Sequence, residues 1–281
     1  DNPKQREAPY NTSRDGAVIS AQMIFKALTD PTLFANAGSF RALEVITEPG
    51  TIFHATGTAP HGYYFETRIR LADMLWQCMA RALPERLPAG SFASICGTVI
   101  AGDHPDTGRR FTMVEPQMGG WGATATRGGL DAMYSTNHGE TFNCPVEICE
   151  ARYGLDVGFK RLNESSEGAG LHSGGKGLQT SYRLRAPAIL SAGYSRARQP
   201  VWGANGGDNG GLNGLTVART NGVFERLTFA SGVALKPGDE IVIETPGHVL
   251  AATVGTTIDP HTVRVPLEEI TGEGRVVAGG G

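Results

Sequence analysis

Three short stretches of this sequence hold side chains equipped to do chemistry. In His61-Gly62-Tyr63-Tyr64-Phe65-Glu66-Thr67-Arg68, an imidazole, a carboxylate and a guanidinium stand where a helical pattern begins. Pro60-His61-Gly62 puts the imidazole on a turn, where functional side chains concentrate. The positive end of a following helix favours an anionic intermediate. His61 and Glu66 are therefore the candidate catalytic residues, with Arg68 a candidate substrate contact. A plainer reading stands beside this one: first-turn glutamates suit helix electrostatics, and a turn histidine needs no role.

The second stretch is Met118-Gly119-Gly120-Trp121-Gly122-Ala123, followed by Arg127-Gly128-Gly129-Leu130-Asp131. Glycines around a lone indole let backbone approach a flat ring, which suits a ligand floor or a tight core corner equally. Trp121 is the candidate substrate wall. The third is Asn143-Cys144-Pro145-Val146-Glu147-Ile148-Cys149-Glu150. Asn143 is placed as a helix N-cap with Glu147 and Glu150 near the helix start, and its amide is also a candidate substrate contact. Ser173-Gly174-Gly175-Lys176-Gly177 lacks the phosphate-loop spacing and has no hydroxyl residue after the lysine, so it reads as a tight turn. The seven histidines form no H-E-x-x-H, the four cysteines form no C-x-x-C, and no G-x-S-x-G is present. No metal ligand set and no serine-hydrolase elbow are expected from this chain alone.

These groups must be positioned by elements that the periodicity outlines. Val18, Ala21, Ile24, Phe25 and Leu28 predict a helix over 15–30, with Ser13 or Asp15 as cap and Pro31 as stop. Ile69, Ala72, Trp76, Met79, Ala80 and Leu83 predict a second over 66–83, ended by Pro84. A third is expected over 144–153, closed by Gly154. Alternating or β-branched runs predict strands over 42–47, 94–100, 110–114, 155–162, 178–184, 189–194 and 240–244. The fold class is α+β: a mixed helix and strand portion over 1–154, then a glycine-rich, all-β portion over 155–281, or one continuous domain completed by a missing N-terminal half.

Composition narrows the function classes. With 25 Lys and Arg against 28 Asp and Glu the formal charge is −3, so no global nucleic-acid footprint exists. At 40% hydrophobic residues the chain can bury a core, and no run approaches a membrane span. Cys78, Cys96, Cys144 and Cys149 read as reduced thiols, mostly buried, hence a cytoplasmic chain. Because it opens on Asp1, it is expected to be a processed or truncated piece of something longer. Between Leu171 and Arg226 the chain is locally basic (Lys176, Arg183, Arg185, Arg196, Arg198, Arg219 and Arg226 against Asp208 and Glu225), a candidate anion or docking face.

In order and spacing, Gly119 to Asp131, Asn143 to Glu150 and Gly168-Ala169-Gly170-Leu171-His172-Ser173-Gly174-Gly175-Lys176-Gly177 together resemble the hydantoinase B/oxoprolinase family. Leu28-Thr29-Asp30-Pro31 with Asn36 to Arg41, and Lys236-Pro237-Gly238-Asp239 running into Glu244-Thr245-Pro246-Gly247, extend the resemblance over nearly the whole chain. After Pro246-Gly247 the family runs through glycines to a tyrosine, whereas His248-Val249-Leu250 follows here. The resemblance implies the C-terminal half of a B-type subunit, working with an N-terminal B-type half and an A-type ATP-binding subunit. ATP and Mg are implied through that partner, and a divalent metal in the N-terminal half, with none assigned to this chain. The implied reaction is ATP-dependent hydrolysis of a cyclic amide such as a hydantoin, oxoproline or a lactam. Carboxylation of a ketone such as acetone or acetophenone is the alternative, and a structural half that only closes an active site housed in partner chains is a third.

Overall fold

The computed structural model describes residues 2–32, 34–138, 141–164, 171–247 and 275–277. Gly168 to Gly170 of the resemblance, and the His248-Val249-Leu250 tail, lie outside the described residues.

Helix α1 spans Arg14–Thr29, and the Ser13 side chain accepts from the Gly16 N–H as its N-cap. Ala17, Ala21, Ile24 and Leu28 form its buried stripe, which packs on helix α2, Tyr64–Ala82. Trp76 stands at the middle of that contact, among Ile24, Leu28, Ala72, Ala80 and Leu87. The third helix, α3, begins only at Val146 and ends at Tyr153. Pro145 holds its cap position with no side-chain cap, so Asn143 is not the cap that its spacing predicted. Gly154 closes α3 at φ 60°, the left-handed stop expected of it.

In chain order the strands are β1 (Glu44–Ile46), β2 (Gly97–Asp103), β3 (Arg110–Glu115), β4 (Leu155–Asn163), β5 (Gly177–Leu184) and β6 (Ala188–Gly193). They continue with β7 (Gly214–Ala218), β8 (Phe224–Leu227), β9 (Phe229–Leu235), β10 (Glu240–Glu244) and β11 (Arg275–Val277). One antiparallel sheet runs β3-β2-β6-β9 and another β4-β5-β10-β7-β8, while β1 pairs with β11 in parallel. The first of these sheets takes two strands from either side of residue 154. Phe92, Ile100, Met113, Leu155, Tyr182 and Ile241 share one core cluster, so the same buried interior spans both portions. Among the described residues no helix follows Gly154, and the α+β architecture is as the sequence predicts.

Three expectations need correction. Ser94 to Cys96 precede the strand instead of starting it, because Ala93 and Cys96 hold positive φ angles of 42° and 49° that turn the chain. The basic face over 171–226 is largely neutralised by carboxylates. Lys176 pairs with Glu164, Arg183 with Glu240, Arg185 with Asp106, Arg196 with Asp73, Arg219 with Asp239 and Arg226 with Glu244. All four cysteines are free thiols, and only Cys96 and Cys149 are buried, so burial is less general than expected. Among the described residues no helix is long and apolar enough to cross a membrane.

Candidate functional site

The expected site residues fall into three groups. Glu66 is 3% exposed, and its carboxylate accepts from the Ser94 hydroxyl (3.0 Å to each oxygen), the Ile95 N–H (2.8 Å) and the Ser195 N–H (3.0 Å). It thereby ties α2 to the turn before β2 and the turn after β6. Burial raises its pKa above the ordinary 4.5, and the hydrogen bonds oppose that rise without cancelling it. Tyr10 close by is pushed up to about 12, mainly by burial and then by Tyr63 and Glu66. His61 is exposed on its turn, where its carbonyl accepts the Tyr64 N–H at 3.1 Å. Arg68 is half-buried, with its guanidinium 5.8 Å from the Tyr64 ring and its Nε without a partner.

Trp121 lies elsewhere. Its ring packs 5.7 Å from Trp76, which stands about 15 Å along the α2 axis from Glu66. Its indole N–H donates to the Tyr134 carbonyl at 2.9 Å. The glycines around it serve backbone contact. The Gly120 N–H donates to Pro246 O, Gly129 to Ser173 O and Gly175 to Trp121 O, each at 2.9 Å. A Cβ at Gly120 would land on the Gly175 carbonyl, and one at Gly175 on that of Leu130. Three of the stretches that carry the family resemblance, 119–131, 173–177 and 244–247, therefore meet in one hydrogen-bonded seam. Lys176 lies along it with its N–H on the Asp131 carboxylate (2.6 Å) and its ammonium on Glu164, so residues 173–176 run along the seam into β5 and not as the tight turn that their composition predicted.

Asn143 joins a third set of residues that sequence reasoning did not gather. Glu115 closes β3 at 5% exposure, accepting the Cys144 N–H at 3.1 Å and standing 3.5 Å from the Lys160 ammonium. Lys160 also donates to Asn143 Oδ1 at 3.2 Å, and the Asn143 amide nitrogen reaches Met118 Sδ at 3.3 Å. Burial raises the Glu115 pKa against the opposing pull of Lys160. Near them runs Tyr134-Ser135-Thr136-Asn137-His138. Here Tyr134 Oη, Ser135 Oγ, both Asn137 amide atoms and His138 Nδ1 are shielded from solvent with no hydrogen-bond partner. The Tyr134 and His138 rings meet edge to face at 4.8 Å. Burial lowers the His138 pKa and pushes Tyr134 up to about 12, with the Glu115 charge adding to the latter. Asn137 sits at φ 69°, in the left-handed region.

Leaving a buried polar atom unpaired costs about 1–3 kcal/mol, so a run of such atoms calls for a partner from outside the described residues. Hydroxyls, an amide and a neutral imidazole offer donors and acceptors side by side, the complement of another amide. A sequence signal for this run existed: five consecutive side chains able to hydrogen-bond, four residues ahead of the Asn143 stretch. Among the described residues no three His, Cys, Asp or Glu gather around a possible metal position. No ligand set for a divalent ion is available there.

The sequence model of the hydantoinase B/oxoprolinase family matches residues 1–248, and the chain belongs to that family. An uncharacterised protein of Methanocaldococcus jannaschii is 31% identical over 245 residues, which cover 87% of this chain and 42% of that protein. The 5-oxoprolinase 1 of Arabidopsis thaliana is 33% identical over 141 residues, 49% of this chain and 11% of the plant protein. Two solved structures share the fold. Nucleotide-free acetone carboxylase has a TM-score of 0.72 at 15% identity, covering 86% of this chain and 38% of that one. The ATP-dependent caprolactamase of Pseudomonas jessenii has a TM-score of 0.71 at 19% identity, covering 89% and 45%. The chain thus spans less than half the length of each of these relatives.

Proposed function

We propose that this chain is the C-terminal part of a B-type subunit in an ATP-dependent enzyme that hydrolyses a cyclic amide. The observation that supports this is the family match over residues 1–248. Among the similar proteins, 5-oxoprolinase 1 and caprolactamase are both named for cyclic amides. In this reading an A-type partner transfers the terminal phosphoryl group of Mg-ATP to the amide oxygen, which makes the ring carbonyl carbon electrophilic. Water adds and the C–N bond breaks, leaving an acyl phosphate, and a second water attacks its carbonyl carbon so that phosphate leaves with the original amide oxygen. No metal-dependent step is assigned to residues of this chain.

The unpartnered run from Tyr134 to His138 holds the amide, with Asn137 matching its N–H and C=O. His138, kept neutral by burial, passes a proton to the departing ring nitrogen after taking one from water. Lys160, held by Glu115 and Asn143, faces the developing negative charge. Trp121 acts through the Tyr134 carbonyl that it holds, and Glu66 through the backbone that it ties down. His61 and Arg68 border the surface that the N-terminal half of the subunit completes.

The test uses the enzyme reassembled with its N-terminal half and A-type subunit, supplied in turn with hydantoin, 5-oxoproline and caprolactam. ATP turnover that requires one of these rings is the expected result. His138→Ala and Asn137→Ala should each lower it about a hundredfold or more while changing stability by no more than about 1 kcal/mol. The shared fold with acetone carboxylase favours a second reading. ATP turnover that needs bicarbonate together with acetone or acetophenone would replace the first reading with ketone carboxylation. If turnover survives every variant in this chain, the chain is a structural half.

A further inference from the structure

At the far end of β3 and α3 from Asn143 lies a cleft of about 440 Å³. Its lining includes Arg109, Arg110, Arg152, Thr107, Thr112 and Tyr153. We infer that this cleft is an anion site, built to take a phosphate-bearing small molecule. The inference does not depend on the reaction proposed above.

The first ground is charge without partners. Between Leu171 and Arg226 six of the seven cations are matched with carboxylates, as Arg185 is with Asp106 and Arg219 with Asp239. Arg109, Arg110 and Arg152 have no carboxylate within 4.0 Å among the described residues, although Asp103 stands opposite Arg110 in register. Three like charges around one hollow repel one another, and an anion reverses the sign of that interaction. Guanidinium forks match phosphate oxygens two bonds at a time, and threonine hydroxyls add further donors.

The second ground is a built wall. His104 is 7% exposed, with its Nε2 on the Ala151 carbonyl and its Nδ1 accepting the Asp106 N–H, both at 3.2 Å. The first bond clips the β2–β3 turn to the end of α3 and the second braces the turn itself, so Arg109 and Arg110 of the turn and Arg152 of the helix line one cleft. Gly154 permits the clip, since a Cβ there would strike Pro105. A volume of this size falls within the range of small-molecule sites, and the Tyr153 ring offers a flat apolar surface beside the charges.

The third ground separates this cleft from the candidate site. β3 runs from Arg110 to Glu115, about 17 Å at the rise of an extended strand. A phosphate held here is too far from Lys160 and Asn143 to be the group transferred there. The cleft therefore binds its ligand for occupancy and not for reaction.

Calorimetric titration of the purified chain with ATP, tripolyphosphate and inorganic phosphate, at low and physiological salt, tests this. Saturable binding of tripolyphosphate is expected, weakened at least tenfold by Arg110→Gln with Arg152→Gln and unchanged by Arg198→Gln outside the cleft. ATP binding tighter than tripolyphosphate would assign a nucleotide, whereas equal binding would assign the phosphates alone. As a check free of variants, tripolyphosphate should protect Arg109, Arg110 and Arg152 from phenylglyoxal, read by mass spectrometry. No saturable binding of any probe, or binding and modification indifferent to these arginines, overturns the inference.

Discussion

A carboxylate buried against backbone amides is held differently from one buried beside an ammonium, and Glu66 and Glu115 illustrate the two. Glu66 accepts two backbone N–H groups and a hydroxyl. Glu66→Gln turns an amide donor toward those donors, so it should cost about 1–3 kcal/mol in urea denaturation. Unchanged stability would remove its structural role. Glu115 gives a pH signature. A carboxyl group whose folded pKa lies above 4.5 binds more protons folded than unfolded, so stability falls as pH rises from 4.5 through the folded value. Asp30, Glu225 and Asp239 have lowered folded values and act below this window. His138 works the other way, gaining stability as pH rises toward 6.5, and is common to both proteins compared. Glu115→Gln should therefore show a shallower loss of stability between pH 4.5 and neutrality than the wild type, and parallel curves would contradict the assignment. Thiol labelling offers a simpler reading. Cys78 should react first, Cys144 slowly, and Cys96 and Cys149 only after denaturation, since burial pushes the Cys149 thiol up to about 12.

At the scale of elements, what was legible followed from local rules. The Ser13 cap, the 3.6-residue stripe of α1 and the Gly154 stop are all properties of neighbouring residues. β10 was likewise legible, because Ile241 and Ile243 alternate with half-buried neighbours. Between Tyr194 and Glu240, however, the sequence reading named no strand, and three are present. β8 is four residues long at a sheet edge with Phe224 exposed, and β9 begins with exposed Phe229 in Phe-Ala-Ser-Gly. Pairing with β7 and β6 creates these strands, and pairing is invisible in a local pattern. The glycine-rich stretches were identified as places of close backbone approach, but the surface approached was another stretch more than 40 residues away, as Gly129 and Ser173 are. The Tyr134–His138 run was missed because polar side chains in a loop signal solvent unless burial is known. These contacts set the size of a substitution. Gly120→Ala or Gly175→Ala drives a methyl into carbonyl backbone and should cost about 3 kcal/mol or more, or prevent folding. Gly50→Ala meets open space at φ 83° and should cost only about 1 kcal/mol. Equal losses at both would show that the seam is not tight.

For the whole molecule, the described surface is not finished. Phe34 is 88% exposed and Phe142 87%, and the latter adjoins the Asn143 cluster. The chain also spans less than half of each relative named above. Native mass spectrometry should find it bound to an N-terminal B-type piece and an A-type ATP-binding subunit, and a fully active monomer would refute that. Position in the sheet has a further consequence, which concerns time. β10 lies between β5 and β7 at the centre of its five-stranded sheet, yet it is the last strand of that sheet along the described chain. The seam likewise waits for Thr245, whose hydroxyl donates to the Met118 carbonyl at 2.6 Å and accepts the Leu178 N–H. During synthesis β4, β5, β7 and β8 therefore leave the ribosome with their middle partner missing, as two pieces with open edges. The cohesion of this sheet thus waits on a single short strand, which must wedge itself between partners already made.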